Sequence, residues 1–69
     1  MDILKQVSDR IAQKRKRMNL SQEKLAELSG LHRNYIGSIE RAEKNPTLCV
    51  LFKISNALGI KLEELFKGL

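Results

Sequence analysis

Apolar residues recur every three or four positions along most of the chain, which is the period of an amphipathic helix. The first predicted helix runs from about Asp2 to Met18. Asn19, a residue that tolerates the left-handed backbone common at helix ends, follows it. The apolar stripe of this helix consists of Leu4, Val7, Ile11 and Met18, and Lys14 interrupts it.

Two short helices follow, and a connector of about three residues that contains Gly30 joins them. Ser21 is a good N-cap for the second helix, which closes at Gly30. Its buried side is predicted to be Leu25, Ala26 and Leu28. The third helix begins near Gly30 and ends near Arg41, and a polar loop up to Pro46 follows. Its apolar face consists of Leu31, Tyr35, Ile36 and Ile39.

Thr47 is the predicted N-cap of a fourth helix, which runs to Leu58 and stops at Gly59. The stripe of this helix is Leu48, Leu51, Ile54, Ala57 and Leu58. The last stretch, "KLEELFKGL", predicts a short fifth helix through Leu62, Leu65 and Phe66. With no repeat or internal linker, the pattern predicts an all-α domain of five helices over residues 1–69.

The composition supports a small intracellular domain. The chain has 69 residues, of which 42% are hydrophobic, so one small core with a thin stability margin is expected. A single cysteine excludes an internal disulfide and favours a reducing, cytoplasmic location. The N-terminus lacks the apolar run of a signal peptide, and no stretch approaches the length of a membrane span.

The charge points to a polyanionic partner. The formal net charge is +5, and "KRKR", Lys14 to Arg17, places four cations in one helical turn. Two plainer explanations stay open. A basic last turn complements the helix dipole, and a positive net charge is also compatible with a generic soluble surface.

The second and third helices, joined across "SGL", form the helix-turn-helix pattern. A short glycine-containing turn lets the second of two helices protrude, and a protruding helix fits the major groove of B-DNA. A plain helical hairpin has the same local pattern, so the turn alone leaves both alternatives open.

The residues around this turn resemble the helix-turn-helix domain of phage-repressor-type (Cro-like) transcription regulators, over roughly residues 10–66. The positions that carry the resemblance are Ser21-Gln22, Leu25-Ala26, Gly30-Leu31, Ile36, Ile39-Glu40, Pro46-Thr47-Leu48 and Ala57-Leu58-Gly59. Within this class, "HRNYIGSIERAEKNPTL" is similar to the small controller proteins of restriction–modification systems. The resemblance implies a λ-repressor-like fold and a homodimer bound to a pseudo-palindromic operator.

The resemblance makes the third helix the recognition helix. Arg33, Asn34 and Ser38 lie on its non-apolar side and are the expected base contacts, while Gly37 keeps that surface low. Arginine pairs bidentately with guanine and asparagine with adenine. Plain surface exposure, or contacts to phosphate and water, are the alternatives for these side chains.

The same resemblance implies contacts to the sugar–phosphate backbone. Gln22 stands at the start of the second helix, whose N-terminus attracts anions. His32 opens the recognition helix, and Tyr35 either packs on the core edge or reaches a phosphate with its hydroxyl. The other expected backbone contacts are Arg15, Arg41, Lys44, Asn45 and Thr47. A solvated loop is the alternative for the last four.

Arg15 and Glu40 are expected to form a partly buried salt bridge, since the matching pair in the family joins the first helix to the end of the recognition helix. One departure from the family is Lys14, at a position that is usually apolar. Either its stem packs while its ammonium reaches outward, or the first helix is rotated.

Partners follow from size and surplus apolar residues. A monomer of this size reads about one half-site, so a homodimer on double-stranded DNA is expected. The candidate dimer interface is Val50, Phe52, Ile60, Leu65, Phe66 and Leu69. The other possibility is that these residues complete the small core. No cofactor, metal site, small-molecule substrate or membrane partner is expected. The chain has one histidine and lacks a Cys/His cluster and a glycine-rich phosphate loop.

Two function classes therefore remain. The first is a sequence-specific DNA-binding regulator, and the second is a protein-interaction module, such as an antitoxin or adaptor, on the same fold. Enzyme activity is not expected. Cys49 is a weak candidate for a redox sensor, since one cysteine without a known environment says little.

Overall fold

The structure, a computed structural model, describes residues 2–69. Four α-helices follow one another: α1 (Ile3–Arg17), α2 (Gln22–Ser29), α3 (Arg33–Glu40) and α4 (Leu48–Ala57). A single 3₁₀ turn (Leu62–Leu65) comes last. Met1, which belongs to the predicted domain, lies outside the described residues.

The helices begin where a side chain caps them. Ser21 Oγ accepts a hydrogen bond from the Lys24 amide at 2.9 Å, and Thr47 Oγ1 accepts one from the Val50 amide at 3.1 Å. Each bond satisfies one of the amides that have no partner in the first turn of a helix. The N-caps predicted for α2 and α4 are therefore confirmed.

The prediction of a fifth α-helix is wrong. The residues from Leu62 to Leu65 form one 3₁₀ turn, and Glu64 Oε2 accepts from the Lys61 amide at 2.8 Å. The stretch is bounded by Gly59 and Gly68, both of which have positive φ. The amides of Glu64 and Phe66 bond to carbonyls three residues back, on Lys61 and Glu63, both at 3.0 Å, which is the hydrogen-bond pattern of a 3₁₀ turn.

One core lies between the helices. It is formed by Val7, Ile11, Leu25, Ala26, Ile36, Ile39, Leu51, Ile54, Leu58 and Leu65. The second helix packs against both α3 and α4, while α1 packs against α3 and the 3₁₀ turn. The longest helix has 15 residues, and none of the described helices combines the length and apolar character that crossing a membrane requires.

Three predicted core residues are exposed instead. Met18, Leu28 and Leu48 each lie in a terminal turn or cap of their helix, where the apolar stripe extends beyond the small core. Serines take up buried places that periodicity did not predict: Ser29 Oγ donates to the Ala26 carbonyl, and Ser55 Oγ donates to the Phe52 carbonyl.

The turn between α2 and α3 depends on Gly30. Its φ is +73°, a left-handed conformation that glycine adopts without the strain a side chain brings. The Leu31 amide then bonds back to the Ala26 carbonyl at 2.9 Å. This closure reverses the chain within three residues and places the start of α3 beside α2.

Candidate nucleic-acid interface

The third helix has one buried and one open side. Ile36 and Ile39 are fully enclosed in the core, and Tyr35 is half-buried against it. Arg33 and Asn34, on the other side, are exposed. An anchored helix that presents polar side chains at its N-terminal end is the arrangement that reads base edges in helix-turn-helix proteins.

The predicted base contacts converge on one concave surface, which we call the reading surface. It is a shallow cavity of about 380 Å³ between the start of α2 and the outer face of α3. Its lining residues are Gln22, Glu23, Arg33, Asn34, Gly37, Ser38 and Arg41. Arg33, Asn34 and Ser38 are thus brought together with Gln22 and Arg41, two residues expected on the phosphate backbone.

Local hydrogen bonds hold parts of the reading surface in place. His32 Nδ1 accepts from the Asn34 amide at 3.1 Å and so caps α3, while Ser38 Oγ donates to the Asn34 carbonyl at 2.7 Å. Arg33 Nη1 lies 3.5 Å from Glu23 Oε2, and both side chains are largely exposed. Exposed pairs of this kind are weak, so Arg33 remains available for a stronger acceptor.

Beneath this surface lies a network centred on Glu40. Arg15 Nε donates to Glu40 Oε2 at 2.7 Å and Arg15 Nη2 donates to Glu40 Oε1 at 3.0 Å. Gln22 Nε2 donates to the same Oε1 at 3.0 Å. The Arg15 and Glu40 side chains are only 11% and 6% exposed. This network ties α1, α2 and the end of α3 together.

The network changes the expectation for two residues. Arg15 also donates to the Leu20 carbonyl at 2.7 Å, so all three of its nitrogens are engaged within the protein. This engagement, with its low exposure, gives Arg15 a structural role in the protein. Its contact with the DNA backbone stays a prediction. Gln22 reaches the reading surface, but its amide is oriented by Glu40.

The loop after α3 carries a second arginine–carboxylate pair. Arg41 Nε and Nη2 donate to Glu43 Oε2 and Oε1 at 2.9 and 3.1 Å. These hydrogen bonds hold the pKa of the Glu43 carboxyl below its ordinary value and raise the pKa of Arg41. Farther along, Lys44, Asn45 and Thr47 are exposed, and Thr47 caps α4.

The predicted "KRKR" patch is divided. Arg15 turns inward to Glu40, while Lys14 and Arg17 line a separate cavity of about 350 Å³ that also includes Arg10 and Lys67. Lys14 is half-buried. Three of the four cations, Lys14, Arg15 and Arg17, are therefore divided between two faces of α1 because adjacent residues on a helix point in different directions.

The predicted dimer residues do not form one exposed face. Phe52 is 53% exposed, but Leu65 is only 1% exposed and belongs to the core, so its assignment to a dimer interface is wrong. The remaining four, Val50, Ile60, Phe66 and Leu69, are half-buried and pack against the core. Val50 lies on α4, and the other three lie in the stretch after α4, whose 3₁₀ turn packs against α4 and α1.

Sequence reasoning found only part of the exposed apolar surface on α4, since it placed Phe52 in the candidate dimer interface and Leu48 in the core. Leu48 is 66% exposed, and with Cys49, Phe52, Lys53 and Leu62 it lines an almost wholly apolar cavity of about 440 Å³. The spacing of Leu48 and Phe52, four residues apart, is the signal that was available. Leu48 also fits the core stripe predicted for this helix, and this fit concealed its pairing with Phe52.

Comparisons with known proteins place this geometry among DNA-binding regulators. The helix-turn-helix family model HTH_3 matches residues 11–65. The control protein C.SmaI of Serratia marcescens is 48% identical over 65 residues, which cover 94% of this chain and 77% of that protein.

Solved structures agree with the sequence comparison. The restriction-modification controller protein C.AhdI from Aeromonas hydrophila superposes with a TM-score of 0.89 at 43% identity, over 91% of this chain and 96% of that one. The controller protein C.Esp1396I, as a tetramer in complex with its natural 35 base-pair operator, superposes with a TM-score of 0.90 at 34% identity. That match covers 97% of this chain and 88% of the other.

Proposed function

The chain belongs to the helix-turn-helix family HTH_3, and on this premise we propose that it is a transcription regulator that binds a specific operator in double-stranded DNA. The observation that carries the proposal is the reading surface itself. Arg33 and Asn34 are exposed at the N-terminal end of a helix whose opposite side is fixed in the core. A regulator of restriction–modification genes is the class that its relatives favour.

In this proposal α3 enters the major groove. Arg33 donates to O6 and N7 of a guanine, Asn34 pairs with an adenine, and Ser38 contacts a neighbouring base. Each bidentate pair contributes roughly 1–3 kcal/mol of discrimination against the wrong base.

Contacts to phosphates set the register of the protein on DNA. The N-terminus of α2 beside Gln22 and the N-terminus of α4 beside Thr47 each offer backbone amides to a phosphate. The other proposed backbone contacts are two residues at the start of α3 and two in the loop before α4: His32, Tyr35, Lys44 and Asn45. They supply affinity that falls with salt and carry little sequence information.

A homodimer is the proposed reading unit. Two copies related by a two-fold axis present their α3 helices to half-sites roughly 34 Å apart on a pseudo-palindromic operator. The exposed apolar surface around Leu48 and Phe52 supports a dimer face on α4. Four half-buried residues are proposed to lie at the margin of this dimer face or beneath it: Val50, Ile60, Phe66 and Leu69.

Selection from a random duplex library tests the proposal. The protein is expected to enrich a pseudo-palindrome, and the log of its affinity is expected to fall steeply with the log of salt concentration. The Arg33→Ala, Asn34→Ala double variant is the matched control. It is expected to keep the salt dependence and to lose the preference at the base pairs that Arg33 and Asn34 contact. A protein that enriches no sequence would instead fit the antitoxin or adaptor class.

A further inference from the structure

Arg41 occupies a position that separates it from the other basic residues of the loop. It is the C-cap of α3 and follows Arg33 and Gly37 at intervals of four residues, so it continues the helix face on which those two residues lie. Side chains on a helix lean towards its N-terminus, which directs Arg41 back over Gly37. Arg41 accordingly lines the reading surface together with Arg33 and Asn34.

Gly37 makes room for this guanidinium. A Cβ atom at position 37 would lie 3.0 Å from Arg41 Nη1 and 3.4 Å from Gln22 Oε1. A contact of 3.0 Å is shorter than carbon and nitrogen atoms normally approach, so a side chain here would displace the guanidinium by a few tenths of an ångström. Gly37 has a helical backbone that any residue could adopt, so its role is to leave space for the Arg41 side chain.

Glu43 holds the guanidinium from its other side. The backbone reverses at Ala42, whose φ is +59°, and the Glu43 amide bonds to the Ser38 carbonyl at 2.9 Å. This reversal brings the Glu43 carboxylate against the Nε–Nη2 edge of Arg41, in a bidentate pair. Nη1 takes no part in this pair and lies over Gly37, on the reading surface that Arg41 lines.

From this arrangement we infer that Arg41 is a specificity-determining residue that reads a guanine, seated on Gly37 and positioned by Glu43. The inference rests on the proposed function, and it replaces the backbone contact expected for Arg41 from sequence. A guanine presents two adjacent acceptors, O6 and N7, to a bidentate arginine in the major groove.

The chemistry of the pair favours a base edge over a phosphate. A phosphate placed against Arg41 would also lie near the Glu43 carboxylate, and like charges repel each other. A base edge is neutral and does not meet this repulsion. Glu43 therefore orients Arg41 while making the same place unfavourable for the DNA backbone.

Arg41→Lys is the sharpest test because it keeps the charge and loses the bidentate fork. Binding is measured for the selected operator, for operators with each base pair substituted in turn, and for random duplex. The variant is expected to bind the operator about 5- to 100-fold more weakly and to lose preference at one base pair in each half-site. Affinity for random duplex, and its salt dependence, are expected to stay near those of the wild type.

Two further variants test the same base preference by changing the residues that position Arg41. Gly37→Ala places a methyl group where the Arg41 guanidinium packs. It is expected to keep or raise the melting temperature because alanine is the better helix former, yet to weaken the preference at the base pair assigned to Arg41. Glu43→Gln weakens the ion pair that positions Arg41. It is expected to reduce the preference at that base pair partly and to strengthen binding to random duplex. Lys44→Ala is the matched control, since its loss of affinity is expected to be uniform across sequences.

The outcomes distinguish the role of Arg41 from the proposed function. If the wild type selects an operator while Arg41→Lys binds every sequence as the wild type does, or loses affinity uniformly, Arg41 is a backbone contact and the inference is overturned. If the wild type selects no operator at all, the proposed function falls and the inference falls with it. If Arg41→Lys loses its sequence preference at one base pair only, the result supports both the proposed function and the role of Arg41.

Discussion

Removing the Glu40 carboxylate tests whether the network beneath the reading surface holds the domain together. In Glu40→Ala, Arg15 keeps its charge at 11% exposure and loses two of its three hydrogen-bond partners. Gln22 loses the acceptor of its amide as well. Breaking one partner of a buried ion pair costs about 3–5 kcal/mol, because a desolvated charge is left without compensation.

This loss is large for a chain of 69 residues. Domains of this size have a free energy of unfolding of roughly 3–10 kcal/mol. With an unfolding entropy of about 2.1 cal/mol/K per residue, each kcal/mol shifts the melting temperature by about 7 °C. Glu40→Ala is therefore expected to melt about 20–35 °C below the wild type, and its operator affinity is expected to fall because α3 loses its tie to α1.

The assay is thermal unfolding followed by circular dichroism, with Asp9→Ala as the matched control. Asp9 also forms an ion pair, with Lys5 at 2.9 Å, but those side chains are 47% and 62% exposed. An exposed pair spaced by four residues contributes about 0.3–0.5 kcal/mol, so the control is expected to shift by only a few degrees. If Glu40→Ala melts as Asp9→Ala does, the network is not desolvated and the reasoning is refuted.

Three other substitutions test single features of the fold and the proposed dimer face. Ser8→Ala is expected to stabilise the domain by about 1 kcal/mol, because the buried Ser8 hydroxyl has no hydrogen-bond partner among the described residues; a lower urea midpoint would contradict this. Ala42→Gly is expected to add about 0.5–1 kcal/mol by relieving a left-handed alanine, offset in part by the greater freedom of glycine in the unfolded chain. Unchanged urea unfolding would show that Ala42 is not strained. Phe52→Gln is expected to keep the fold and weaken dimerisation roughly 10- to 100-fold in analytical ultracentrifugation, because an exposed phenyl ring contributes about 1.5–3 kcal/mol when buried. An unaltered dimer would place the interface elsewhere.

Local rules were sufficient for much of the helical framework. Capping by Ser21 and Thr47 and the left-handed stop at Gly30 each depend on neighbouring residues alone, and so they could be predicted from sequence. The same holds for the outward face of α3, since the 3.6-residue period separates Arg33 and Asn34 from the buried isoleucines.

Predictions failed where the outcome depended on how far the core extends. Leu48 and Leu65 both fit a helical stripe, but Leu48 is exposed and Leu65 is enclosed. A periodic pattern describes directions around a helix axis and contains no information about where the neighbouring element ends. The prediction of a fifth helix failed for a related reason. Its residues form a single turn that packs Leu65 into the core.

The side-chain partners of the reading surface were the least predictable feature, and the reason lies in the backbone. Arg41 and Glu43 are two residues apart, a spacing that places side chains on different sides of a helix. They meet because Ala42 adopts a left-handed conformation, for which an alanine gives no signal. The strain at Ala42 and the pairing of Arg41 with Glu43 are therefore linked. Ala42→Gly, which relieves the strain while keeping the turn, is expected to leave the base preference assigned to Arg41 unchanged. Ala42→Pro is expected to abolish that preference because its fixed φ of about −65° excludes the reversal.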